Sequence, residues 1–253
     1  MESVKSYKSS DVDPSKVRIS KVCQPFKLGT KEFTKIELKY GNDTLYILGP
    51  KLYCPFGVSQ MPKPEEVTKN TNVKYSIQMN FKGHKEGFEK AQSTEDLYNL
   101  FDELELILMD QLLKKSGEYL NQQTNEHVLI DKMYQRLIKT PEKEEYDPYF
   151  RLKLPTDYKD RSKFKVGFFD EKGKELKLDV DGLKKHLENR RWIRPIFKLD
   201  CLWYIEGKIH PSIEGHLLKI YSETEEPKKK SDDKKKKEKP KDKKPKQKKI
   251  QFI

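Results

Sequence analysis

The run RWIRPIFKLDCLWYI, residues 191–205, constrains the fold more than any other feature of the chain. Side chains alternate between the two faces of a strand, and the odd positions Ile193, Pro195, Phe197, Leu199, Cys201, Trp203 and Ile205 are all apolar. The even positions Trp192, Arg194, Ile196, Lys198, Asp200, Leu202 and Tyr204 mix cations with rings. The pattern predicts a strand with one face on a core and a second face unlike an ordinary solvated one.

Other segments share this period. FTKIELKY (33–40) leads through GND into TLYILGP (44–50), a hairpin-type turn. In VKYSIQMNF (73–81), Val73, Tyr75, Ile77, Met79 and Phe81 face one side, and Lys74, Ser76, Gln78 and Asn80 the other. From Ser93 the period becomes helical. Leu97, Leu100, Phe101, Leu104, Ile107, Leu108 and Leu112 follow Ser93 as N-cap and Asp96 at N3. A second helix is predicted over about 127–139. Strand signals return in YFRLKLP (149–155), KFKVGFF (163–169), KELKLDV (174–180) and EGHLLKIYS (214–222), with a short helix over 181–189. Short alternating strands with a polar face suit an antiparallel sheet. The expected fold is mainly β with a helical insertion: an OB-like, partly open β-barrel with two inserted helices.

Three regions follow. Residues 1–16 are polar and without period, so a flexible N-terminus is expected; 17–222 form the domain, with the helical insertion at about 93–140; 223–253 form a disordered lysine-rich tail. The net charge of +12 lies mostly in that tail, where residues 228–249 hold 14 lysines and 4 acids. The rest of the chain has 39 cations against 37 acids, so any basic site on the body comes from arrangement, not excess.

Several function classes recede. No run of eighteen apolar residues exists and the first residues lack an apolar signal region, which predicts an intracellular protein without a membrane span. Cys23, Cys54 and Cys201 stand apart with no CxxC spacing, so buried thiols are expected in place of zinc ligands or disulfides. GxGxxG, Walker, GxSxG and HExxH motifs are absent, His84, His127, His186, His210 and His216 are scattered, and the acidic EKEEYD (142–147) reads as a solvated connector. No catalytic residue, metal site or cofactor is predicted.

Two further strands repeat the division seen in the opening run. Tyr149, Arg151 and Lys153 oppose Phe150, Leu152 and Leu154; Lys163, Lys165, Gly167 and Phe169 oppose Phe164, Val166 and Phe168. With Arg190, Arg191, Trp192, Arg194, Lys198 and Tyr204 they make faces of rings and cations almost without acids, the combination that stacks bases and tracks phosphates. A solvated, edge-protecting face is the alternative, and a bulge near Pro195 would shift the register.

The succession YDPYFRLKLP, KFKVGFFDEKGKEL, a short amphipathic segment, RWIRPIFKLDCLWYIEGKI and HLLKIYSE resembles the single-stranded DNA-binding proteins of nucleocytoplasmic large DNA viruses, distant relatives of the OB-fold phage proteins. The resemblance spans roughly residues 70–222. It implies sequence-tolerant single-stranded DNA binding in viral replication, recombination or repair, at a replication site in the host cytoplasm or nucleus. By position, Tyr149, Arg151 and Lys153, and Trp192, Arg194, Lys198 and Tyr204, match the family's sheet. Relatives commonly end in an acidic tail, whereas this chain ends in a basic one, which should add affinity and salt dependence. The terminal IQFI (250–253) is a candidate contact for replication proteins. Two rival readings stay open: a virion structural or genome-packaging protein whose tail neutralises DNA, and an RNA-binding factor.

Overall fold

The computed structural model describes residues 4–68, 73–82, 91–120, 123–188 and 190–222; the lysine-rich tail and IQFI lie outside the described residues. The strands before the helical insertion are β1 (Tyr7–Lys8), β2 (Val17–Val22), β3 (Phe26–Leu28), β4 (Lys31–Tyr40), β5 (Leu45–Leu48), β6 (Leu52–Cys54), β7 (Val58–Met61) and β8 (Lys74–Asn80). Helices α1 (Ala91–Lys114), α2 (Ser116–Leu120) and α3 (His127–Met133) follow, then β9 (Tyr149–Leu154), β10 (Gly167–Phe169), β11 (Glu175–Leu176), α4 (Val180–His186), β12 (Arg191–Ile205) and β13 (Lys208–Ile220). The expectation of a mainly β chain with a helical insertion holds at this level.

The opening run of the sequence is β12, and it organises the sheet. One edge pairs antiparallel with β13, from Ile193 opposite Ile220 to Ile205 opposite Lys208. The other edge takes three short partners in turn: β6 along Arg191–Ile193, β5 along Ile196–Leu199 and β4 along Cys201–Ile205. Pro195 falls in the gap between the first two, where its carbonyl accepts the Gly49 N–H at 2.9 Å. Strand pairing returns on itself through β12, β6, β8, β9 and β13. Two seams of this ring are thin: β6 meets β8 only through Tyr53 and Asn80, and β9 meets β13 only through Lys153 and Glu214. The ring is therefore partly open, in keeping with the OB-like expectation.

The core lies inside the ring and under α1. Helical spacing puts Leu97, Leu100, Phe101, Leu104, Leu108 and Leu112 on one face, and all six are buried. Burial of such side chains is worth about 1.5–3 kcal/mol each, so this face contributes on the order of 10 kcal/mol before ordering entropy is subtracted. Phe101 packs between Phe150 of β9 and Phe197 of β12, with ring centroids 5.2 and 5.9 Å away. The Gln111 side chain also ties α1 to β2: it donates to the Val17 carbonyl and accepts from the Ile19 N–H, both at 2.8 Å.

Several sequence expectations need correction. Helix α1 already includes Ala91, so Ser93 is inside it and is not its N-cap. Among the described residues the insertion holds three helices and not two, α2 being the addition. The helix expected over about 127–139 stops at Met133, because Tyr134 turns extended and bridges Ile209 of β13, while the Gln135 N–H donates to the Ile209 carbonyl at 2.8 Å. Tertiary pairing overrides helical spacing there. The stretch 163–169 is a strand only over its last three residues, and 174–180 only over Glu175–Leu176. The N-terminal segment, expected to be flexible, is instead docked: Tyr7 and Lys8 pair in parallel with Ile47 and Leu48, and Val12 is buried in the core.

Candidate nucleic-acid interface

Alternation on β12 places Ile193, Phe197 and Leu199 in the core and leaves the opposite face outside it. At the start of β12 that outer face gathers rings from five strands or strand ends. Pairing sets Tyr149 opposite Asn80, Asn80 opposite Tyr53 and Tyr53 opposite Trp192, and the Tyr221 N–H reaches the Trp192 carbonyl at 2.9 Å. A second row sets Arg194 opposite Lys219, and Lys219 opposite Phe169 of β10.

Cations lie over these rings. The Lys51 ammonium stands 5.8 Å from the Trp192 ring centroid and 4.3 Å from that of Tyr221, Lys82 stands 5.0 Å from Tyr53, and Lys219 stands 5.9 Å from Tyr221. Such contacts contribute about 0.5–1 kcal/mol at exposed sites and fix where the charge sits. Arg194 is exposed and donates through Nε to the Gly49 carbonyl at 3.3 Å. Arg191 donates to the carbonyl of Ser222 at 2.9 Å, and Glu171 accepts from the Ser222 hydroxyl at 2.7 Å, so the last described residue is held beside this cluster. Arg190 is exposed at its edge.

Trp192 itself is only 7% exposed, with its ring 5.2 Å from that of Tyr53. It belongs to the outer face but is closed over, so it supports the surface and offers no open face to a base. Trp192→Phe is expected to cost about 1–2 kcal/mol. The loss should appear in the melting temperature and leave the salt dependence of DNA binding unchanged.

The middle of β12 is different. Lys198, a candidate phosphate contact, lies 2.6 Å from Asp200 and 3.1 Å from Glu214, all three side chains largely covered. Burial acts to lower its pKa, but the two carboxylates win and hold it well above the usual lysine range. Lys153 donates to the Ser212 hydroxyl at 3.0 Å, and burial pulls its pKa down. Lys35 pairs with Glu37 at 3.3 Å. Charge is compensated here within the protein. Lys198→Ala should therefore lower stability by about 1–3 kcal/mol by leaving two covered carboxylates facing each other. Its effect on the salt slope of DNA binding should be small.

At the far end the parity reading fails. The register shifts between Leu199 and Cys201, so two residues of β12 oppose Ser212. Beyond that bulge Leu202 is buried in the core and Tyr204 packs against it, whereas Trp203 lies outside, edge-on to Phe26 at 6.1 Å. Tyr204 is thus not an outer-face residue, and Trp203, expected in the core, is one. Cys201 is buried beneath the charged groups and not in the apolar core, its thiol pushed up to about 12 chiefly by burial. Cys54 is a buried core thiol as expected, but Cys23 is only half-buried, its sulfur 3.7 Å from a Glu37 oxygen.

Of the remaining candidates, Arg151 is exposed opposite Gln78, next to the ring row. Lys163 and Lys165 lie outside both rows on the segment before β10, Lys163 in an exposed pair with Asp160 at 2.8 Å. Sequence reasoning missed Lys51, Tyr53, Lys82, Lys219 and Tyr221. The signal was present: Lys51 and Tyr53, and Lys219 and Tyr221, repeat the cation and ring spacing of Tyr149 and Arg151. Among the described residues no group of three or more His, Cys, Asp or Glu is placed to hold a metal ion.

No protein-family model matches the chain, and no curated protein matches it. Three solved structures similar to it are those of single-stranded DNA-binding proteins. All three come from bacteriophage Enc34. A C-terminal truncation has a TM-score of 0.40 at 12% identity, covering 82% of this chain and 98% of that one. A complex with single-stranded DNA has 0.40 at 12%, covering 84% and 98%, and a further structure has 0.35 at 8%, covering 85% and 96%. Identities this low fix no residue correspondence.

Proposed function

We propose that this chain is a non-enzymatic, sequence-tolerant single-stranded DNA-binding protein of a large DNA virus, serving replication, recombination or repair at the viral replication site in the host. The observation that carries the reading is the ring and cation cluster at the start of β12. Lys51, Lys82 and Lys219 stand over Trp192, Tyr53 and Tyr221, with Arg194 exposed opposite Lys219. Cations held over rings are positioned in advance for phosphates, so little ordering cost remains at binding. Half-exposed Tyr149, Phe169 and Tyr221 offer ring edges or faces to bases, and stacking on such rings is worth about 1–3 kcal/mol per base without sequence preference. The lysine tail leaves from Ser222, beside the cluster, and adds a salt-dependent, non-specific term.

The test is a fluorescence-anisotropy titration of labelled oligo-dT, matched duplex and a ribose oligomer, with the full chain and with a chain ending at Ser222, at two salt concentrations. The shortened chain should keep its preference for the deoxyribose single strand while losing affinity and salt slope. Loss of both preference and affinity with the tail would move the packaging reading to first place. Preference for the ribose strand would move the protein to RNA.

A further inference from the structure

We infer that a second base-stacking platform stands at the far end of β12, built from Phe26, Phe33 and Trp203; it rests on the single-strand reading above. Phe26 is 47% exposed. It sits opposite Phe33 across the β3–β4 pair, the two rings nearly parallel at 14° with centroids 5.6 Å apart, and Trp203 meets Phe26 at 83°. None of the three belongs to the apolar core cluster or packs against it. Two rings behind Phe26 hold its free face in place, and an aromatic side chain has few torsions to lose on binding.

The β12 bulge creates this group. Without the shift at Cys201, Trp203 would point into the core and Tyr204 outward; with it, Trp203 stands on the outer face opposite Lys35 and His210. Of the lysines nearby, Lys31 alternates onto the same face of β4 as Phe33, Lys27 falls on the opposite face of β3 from Phe26, Lys35 beside Trp203 is paired with Glu37, and Lys208 donates to the Lys132 carbonyl at 3.0 Å. Lys31 pairs with Glu206 at 2.7 Å, but both side chains are more than half exposed. Exposed pairs of that kind hold weakly, so a phosphate can take over Lys31, unlike the covered Lys198. Three rings with Lys31 at their edge fit a nucleotide, which presents a flat apolar face and an anion together.

Trp192 and Trp203 are eleven residue steps apart, roughly 36 Å along a strand. That matches about ten stacked nucleotides at about 3.4 Å each, inside the range of about 4–16 for one such fold. The compensated middle of β12 then lies between two contact regions, and a strand must be long enough to reach both.

The experiment compares labelled dT5 and dT20 with the full chain and with Phe26→Ala, Phe26→Tyr and Trp203→Phe. Phe26→Ala should weaken dT20 about tenfold and leave dT5 within twofold, Phe26→Tyr should restore dT20 binding, and dT20 should quench tryptophan emission less in Trp203→Phe than in the unaltered chain. If the unaltered chain binds dT20 and Phe26→Ala binds it equally well, the platform is absent and the rings face a protein, while the single-strand reading stands. Equal losses for both lengths also overturn the platform, because Phe26 would then act on the whole fold. If the unaltered chain does not bind dT20, the single-strand reading itself fails.

Discussion

A chain in which Lys51, Arg194 and Lys219 are all alanine is expected to bind oligo-dT about 100-fold more weakly at about 0.1 M salt. Each phosphate contact contributes about 0.7 to the log–log salt slope for a single strand, so three contacts account for a slope of about 2. One decade below 1 M salt, that slope is two decades of affinity. The three side chains lie outside the apolar core, and losing cation–ring contacts of about 0.5–1 kcal/mol each leaves the protein folded. Titrations at four salt concentrations with the tail removed measure the slope directly. An unchanged slope would show that phosphates meet the protein elsewhere.

The largest stability effect is expected at Glu105. This α1 side chain is 2% exposed, accepts the Leu137 N–H and a 3.3 Å hydrogen bond from Arg136, and Arg136 also reaches Asp131 at 2.6 Å. Glu105 thereby pins the extended arm after α3, which carries Tyr134 to β13 and Lys139 to Tyr149. Glu105→Ala leaves the buried Leu137 N–H without its acceptor, removes a charge-assisted hydrogen bond and leaves Arg136 with Asp131 alone, and should cost about 3–5 kcal/mol. In a body of this size that lowers the melting temperature by about 10 °C. Glu105→Gln keeps an acceptor for Leu137 and should lose less.

The pH dependence of that site has a definite sign. Burial raises the Glu105 pKa in the folded protein, against the opposing pull of the Leu137 N–H and Arg136. A carboxyl with a raised folded pKa contributes stability that is complete below its unfolded value and is lost as pH rises through the folded one. The stability of the parent chain relative to Glu105→Gln should therefore increase as pH falls, as paired denaturant titrations across the acidic range would measure. Buried Tyr134 lies close to the same carboxylate, and burial first, then the Glu105 charge, push its phenol well above the ordinary range.

Much of the sheet is legible from alternation alone. β8, β9 and the first half of β12 carry enough consecutive period-two positions that their inner faces can be read directly, and α1 is as clear from its leucines. The short strands β1, β3, β6 and β7 are not legible, because two to four residues contain no period and their place depends on the partner that recruits them. The bulge at Cys201 is nearly as silent: no glycine or proline marks it on β12, and Pro211, which pairs with Leu202 just beyond it, lies on the other strand, yet it exchanges the roles of Trp203 and Tyr204. Ion pairing of Lys198 is legible only in part: Asp200, two residues on, shares its face, whereas Glu214 comes from another strand and sequence spacing does not announce it. The cluster was half visible, with Trp192, Arg194, Phe169 and Tyr149 found, Lys51 and Tyr53 overlooked beside and within the short β6, and Lys219 and Tyr221 overlooked at the end of β13.

The thin seam between β6 and β8 gives the interface a property of its own. A contact of one residue pair, Tyr53 with Asn80, can part at a free energy well below that of global unfolding. Lys51 and Tyr53 stand on one side of it and Lys82 on the other. A polyanion bound to both lysines would act as a strap across the gap. Amide hydrogens of β6 should then exchange with solvent early in the free protein and late in the occupied one, so the seam reports occupancy through its own breathing.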